Sequence, residues 1–81
     1  MSSNQLSLML SPAGRILYVL KSGPKNVEEL LKETNLSKNT IYYHLKDLIH
    51  HGYVIKIGKG HYAITEKGLN LLRKIIHVLS Q

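Results

Sequence analysis

The sequence predicts an α+β domain of three helices, a β-hairpin and a closing helix. Three observations carry this expectation. From Ser11 to Gly52 the apolar residues recur at helical spacing, and each run begins at a residue suited to cap a helix. Between Tyr53 and Thr65 the spacing falls to two residues, on either side of Gly58-Lys59-Gly60. From Lys67 the helical spacing returns on a stretch dense in leucine and isoleucine.

Residues 1–10 open with the polar Met1 to Gln5, expected to fray. Leu6, Leu8 and Leu10 then alternate with Ser7 and Met9. They form a short strand or the approach to the first helix. Exposed LSLML would be adhesive on so small a protein, so it is expected to pack on the core or on a second subunit. Ser11-Pro12 starts the first helix, with serine as cap and proline where its missing amide costs nothing. Ile16, Leu17, Val19 and Leu20 follow, and Gly23-Pro24 ends it. Only Arg15 and Lys21 are charged in this helix, which predicts that it is covered on more than one side. Asn26-Val27-Glu28-Glu29 has the form of a capping box. The short helix behind it turns Val27, Leu30 and Leu31 inward and Glu28, Lys32 and Glu33 outward.

The third helix, within Leu36 to Gly52, has Ser37 as its cap and Ile41, Leu45, Leu48 and Ile49 as its apolar stripe. Lys38, Asn39, Tyr42, Tyr43 and Lys46 fall off that stripe. An ordinary surface helix places Asp or Glu in its first turn to match the dipole. Here the first acid is Asp47, so the helix start is left open for an external anion. Two short helices joined by a tight turn form a helix-turn-helix, and the second is the longer and the more basic at its start.

Tyr53 to Ile57 reads as a strand and His61 to Thr65 as its return. Gly58 and Gly60 accept positive φ in the turn between them. This places Lys56, Lys59 and His61 near the tip, with no acid before Glu66. The last helix, Lys67 to Leu79, carries Leu69, Leu72, Ile76 and Leu79 on one face and Leu71, Ile75 and Val78 on an adjoining one. A core of this size covers one face, so the other requires a partner. Leu71, Leu72, Ile75, Ile76, Val78 and Leu79 are the expected dimerisation set. The organisation is then a tail or dimer-contact segment over 1–10, a DNA-binding domain over 11–66, and a dimerisation helix over 67–81.

Composition agrees with this reading. Eighty-one residues allow one domain with a small core. Eleven Lys plus Arg against five Asp plus Glu give a formal charge of +6, a bias toward polyanions. Cysteine is absent, which removes disulfides and thiolate metal sites and gives no support to secretion. No apolar run approaches the roughly 18 residues of a spanning helix, so no membrane role is expected. There is no carboxylate cluster and no glycine-rich phosphate loop, so no enzyme activity, cofactor or metal is expected. His50 and His51 are neighbours pointing about 100° apart on a helix. They suit charge matching and backbone bonding at a helix end better than chelation.

LSKNTIYYHLKDLIHHGYV resembles the recognition region of winged-helix regulators of the arsenical-resistance-repressor and multiple-antibiotic-resistance-repressor type. The matching pieces are Leu36-Ser37, Thr40-Ile41, His44-Leu45, Leu48 and Gly52-Tyr53-Val54. Ile64-Thr65-Glu66-Lys67-Gly68 is similar to the exit from the wing in the same families. The resemblance covers about Ser11 to Leu79. It implies a homodimeric transcription regulator with the recognition helix in the major groove and the wing on the flanking backbone or minor groove. Carried onto this chain, Ser37, Lys38, Asn39, Thr40, Tyr42, Tyr43 and Lys46 face DNA from the helix, and Lys56, Lys59 and His61 from the wing. Leu36, Ile41, Leu45 and Leu48 correspond to the core of that helix. His44 stands where the arsenical-repressor group often has histidine. The cysteines of metal-sensing members and the long extra helices of drug-responsive members are missing, so no small-molecule effector is evident.

The chemistry of the side chains fits this assignment. Asparagine pairs bidentately with adenine, lysine donates to guanine, and threonine or an aromatic edge touches a thymine methyl. Lys46, Lys56 and Lys59 suit phosphates, with Arg15 and Lys25 as further backbone contacts. The expected function is a cytoplasmic, homodimeric, sequence-specific double-stranded DNA-binding regulator, most simply a repressor. The alternatives are a non-specific architectural DNA-binding protein and a winged-helix protein-interaction module.

Overall fold

The computed structural model describes residues 10–80. Its elements are α1 (Pro12–Leu20), β1 (Lys25–Asn26), α2 (Val27–Thr34), α3 (Lys38–His50), β2 (Val54–Ile57), β3 (His61–Ile64) and α4 (Glu66–Leu79). The α+β class and the order helix, helix, helix, hairpin, helix are as the sequence predicts. The expectations for Leu6 and Leu8 lie outside the described residues. Leu10, the last of that alternating run, is buried.

Each helix starts at the residue its cap chemistry selects. Ser11 accepts the Gly14 amide, with Pro12 at the first helical position. Asn26 and Glu29 exchange side-chain and backbone bonds at 2.8 and 3.0 Å, a complete capping box. Ser37 accepts from the Thr40 amide and Thr65 from the Gly68 amide. Such a cap satisfies one of the amides left orphaned in the first turn and is worth about 1 kcal/mol.

α1 packs against α2, α3, α4 and β3, which explains why its sequence carries so little charge. Ile16, Leu17 and Leu20 of α1 meet Leu30 of α2, Ile41 and Leu45 of α3, Val54 of β2 and Leu72 of α4 in the fully buried centre. The helix-turn-helix break is held by Asn35, which takes a left-handed conformation (φ 59°) and returns its amide to the Leu31 carbonyl. Asparagine tolerates this region better than most non-glycine residues. Leu36 then packs against the core ahead of the Ser37 cap.

Besides Ile49, which its spacing puts on the apolar stripe of α3 but which is 38% exposed, two features depart from the sequence expectation. The sheet has three strands in the order β1-β3-β2, because Lys25 pairs with Tyr62 and Asn26 with His61. β1 is two residues long, too short for any periodicity, and its second residue doubles as the cap of α2. The second departure concerns α4. Leu72 is only 1% exposed and belongs to the core of the chain, so it is removed from the expected dimerisation set. Leu71 and Ile76 pack partly on the same core. Val78 stands out at 70% exposed, with Ile75 and Leu79 half-buried beside it.

Candidate nucleic-acid interface

α3 is held at both ends, and its outward face is free. With Ile41, Leu45 and Leu48 turned into the core, helical geometry sends Asn39, Tyr42, Tyr43 and Lys46 to the opposite side. All four are exposed, as is Lys38, and Tyr43 is 70% exposed. Burial of that aromatic area would be favourable, and nothing among the described residues covers it. The Tyr43 ring meets His44 edge to face at 5.1 Å. His44 itself is half-buried at the flank of the helix. Ser37 and Thr40 differ from the rest. The Ser37 hydroxyl accepts the Thr40 amide at 3.2 Å and donates to the Thr40 hydroxyl at 2.8 Å, so these two are committed first to the cap.

No acid lies in the first turn of α3. The positive end of its dipole therefore coincides with Lys38 and has no acid of its own turn beside it. The far end is closed by cations and histidine. Lys67 of α4 donates to the His51 carbonyl at 2.8 Å and lies over the Tyr53 ring at 5.0 Å. His51 Nδ1 is 2.9 Å from the Asp47 carbonyl oxygen, which can only accept, so the ring proton sits on Nδ1. The Asp47 carboxylate is 3.5 Å from the same nitrogen. His51 thus satisfies backbone at the helix end as expected. Among the described residues no group of His, Asp and Glu is arranged to hold a metal ion.

The hairpin puts its basic residues at the tip. Gly58 and Gly60 have φ of 53° and 83°, which lets the chain reverse around an exposed Lys59. Lys56 and His61 are exposed behind it. Ile55 and Ile57, on the alternate face of β2, are exposed as well, a feature that period-two spacing alone does not single out. No acid occurs between Val54 and Ile64; the nearest, Glu66, begins α4.

Two expected backbone contacts are otherwise engaged. The Arg15 guanidinium donates to the carbonyls of Leu10 and Thr34, and Lys25 lies 3.8 Å from the Glu33 carboxylate with a mostly covered side chain. Neither is presented as a free cation.

Lys67 and Gly68 stand in the stretch that resembles the wing exit, and the structure gives each a role that the resemblance does not specify. Thr65 donates to the Gly52 carbonyl at 2.7 Å, and its amide bonds the Tyr53 carbonyl at 3.0 Å. This brings α4 so close to the end of α3 that a Cβ on Gly68 would collide with the Tyr53 carbonyl. Glycine three residues after a threonine cap was the available signal.

A helix-turn-helix with an exposed second helix, followed by a basic hairpin, defines a winged-helix DNA-binding domain. Residues 14–56 match the family described as bacterial regulatory protein, arsR family. That match covers more than half of the chain, which therefore belongs to this family of DNA-binding transcriptional regulators. A curated relative, the uncharacterised HTH-type transcriptional regulator MJ0229 of Methanocaldococcus jannaschii, is 50% identical over 34 residues. That alignment covers 42% of this chain and 36% of the relative, so the chain matches little more than a third of the relative's length. Among solved structures, the reduced form of the transcriptional regulator YodB from B. subtilis superposes with a TM-score of 0.76 at 25% identity. It matches over 96% of this chain and 83% of that one. The quinone-bound YodB from B. subtilis gives 0.76 at 26% identity, over 96% and 89%.

Proposed function

We propose that the chain is a homodimeric, sequence-specific repressor that places α3 in the major groove and the hairpin on the flanking backbone or minor groove. The observation that carries this reading is the exposed face of α3. Lys38, Asn39, Tyr42, Tyr43 and Lys46 stand together beyond an acid-free helix start, and Lys59 projects from a separate element. Asn39, Lys38 and Tyr43 are the base-reading residues, because amide, ammonium and aromatic groups match adenine, guanine and the thymine methyl respectively. Ser37 and Thr40 close the helix start, and the remaining amides of that turn with the Thr40 hydroxyl proton meet a phosphate. Lys46, Lys56, Lys59 and His61 supply charge along the backbone.

The second copy docks on α4. Leu71, Ile75, Ile76, Val78 and Leu79 form its contact, with Val78 at the centre because it is the most exposed. A twofold pair of α3 helices reads half-sites about one helical turn apart. Repression follows from occupying a promoter, in the cytoplasm, with neither cofactor nor catalytic step. Selection of tight binders from a random duplex pool, then comparison of selected and shuffled duplexes at fixed salt, tests the reading. A large ratio with a twofold-symmetric consensus supports it; equal affinities would establish a non-specific architectural binder instead.

A further inference from the structure

Arg15 stands in α1 one turn beyond its cap, where a cation opposes the dipole of its own helix. It makes no ion pair with a described residue. Its guanidinium reaches two main-chain oxygens that are distant in sequence. Nε–H donates to the Leu10 carbonyl at 3.3 Å, and Nη1 donates to the Thr34 carbonyl at 3.2 Å. Thr34 is the last residue of α2, so its carbonyl lacks a helical partner and lies at the negative end of that helix. The cation is therefore misplaced for α1 and well placed for α2.

The carbonyl it holds belongs to the turn that aims α3. The Thr34 hydroxyl, itself buried, donates to the Leu30 carbonyl and accepts the Leu36 amide at 3.3 Å. Asn35 adds its left-handed step, and two residues later Ser37 caps α3. Any tilt at Thr34 is passed to Lys38 and Asn39 within one turn of chain.

We infer that Arg15 is a positioning residue for base reading. Its planar fork ties the Leu10 carbonyl to the Thr34 carbonyl and fixes the angle at which α3 presents Lys38, Asn39 and Tyr43. The inference rests on the reading of α3 as the base-reading helix. Lysine does not replace it, because the guanidinium directs Nε–H and Nη1–H to the two carbonyls in a fixed fork, whereas an ammonium on a flexible stem fixes neither direction.

The experiment compares the full chain with Arg15→Lys and Arg15→Met on a duplex selected by the wild type and on its shuffled counterpart, across a salt series. Both variants should lose about tenfold in the selected-to-shuffled affinity ratio, the equivalent of one mismatched base pair. Arg15→Lys should keep the salt slope and the affinity for shuffled duplex. Hydrogen exchange at the Asn35 and Leu36 amides should accelerate in both variants while the core of α1 stays protected. A different pattern overturns the inference: Arg15→Lys matches the wild type while Arg15→Met loses about 0.9 in slope, which is the signature of a phosphate contact. Wild-type ratios and exchange in both variants overturn it equally. Should Arg15→Met fail to fold, Arg15→Lys decides alone, with its binding to shuffled duplex reporting that it is folded. Absence of any site preference in the wild type would refute the reading of α3 instead, and the exchange rates would still decide whether the clamp exists.

Discussion

Gly68→Ala should destabilise the protein even though alanine is the better helix former. At an unobstructed helical position the exchange gains about 1 kcal/mol. Here the new methyl would meet the Tyr53 carbonyl and come within 2.7 Å of Ile64 Cγ1. The isoleucine can rotate away, whereas the carbonyl is fixed by its bond to the Thr65 amide. Forcing a methyl into a packed site costs about 1–3 kcal/mol, and a rigid backbone obstacle puts this case at the upper end. The net loss is about 2 kcal/mol, a fall of about 10 °C in Tm for a domain of this size. Gly58→Ala is the internal comparison, because nothing lies within 4 Å of that position and only its φ of 53° opposes a side chain. It should cost about 1 kcal/mol. Both are read by thermal and urea denaturation followed by circular dichroism. An unchanged or raised Tm for Gly68→Ala would refute the close approach of α4 to the end of α3.

Other consequences concern binding and assembly. Reversing charge at both Lys38 and Lys59 should abolish detectable binding at moderate salt and reduce the salt slope by about 0.9 for each phosphate no longer neutralised; an unaltered slope would place both side chains away from DNA. Asn39→Ala should cost about 1–3 kcal/mol on the selected duplex and relax the preference at a single base pair while leaving binding to shuffled duplex intact. Val78→Glu should convert the proposed dimer to monomers in sedimentation without lowering monomer stability, because that side chain is 70% exposed within one chain. Leu72→Ala should do the reverse, destabilising the fold by about 2–5 kcal/mol as a buried leucine.

The elements were legible because their ends are written in local chemistry. Ser11, Asn26 and Ser37 each cap the helix that follows, and a cap needs only three or four neighbouring residues to act. The outward face of α3 was legible for a related reason: the stripe of Ile41, Leu45 and Leu48 defines its complement. β1 was not, since a two-residue strand exists only through its pairing with Tyr62 and His61. Leu72 shows the limit of helical phase. On α4 two apolar faces adjoin, and which residue meets the core depends on the angle at which the helix crosses α1. Arg15 looked like a surface cation because its acceptors, the Leu10 and Thr34 carbonyls, are brought together only by the packing of α1 on α2.

The most direct test of base reading by α3 is a methylation-interference footprint on the selected duplex, with equilibrium affinities for selected and shuffled sequences at one salt concentration. Two interfering major-groove patches about one helical turn apart are expected, each flanked by a wing contact, with a selected-to-shuffled ratio of at least about a thousandfold. A ratio near one with interference spread evenly along the duplex would contradict sequence-specific recognition by this helix.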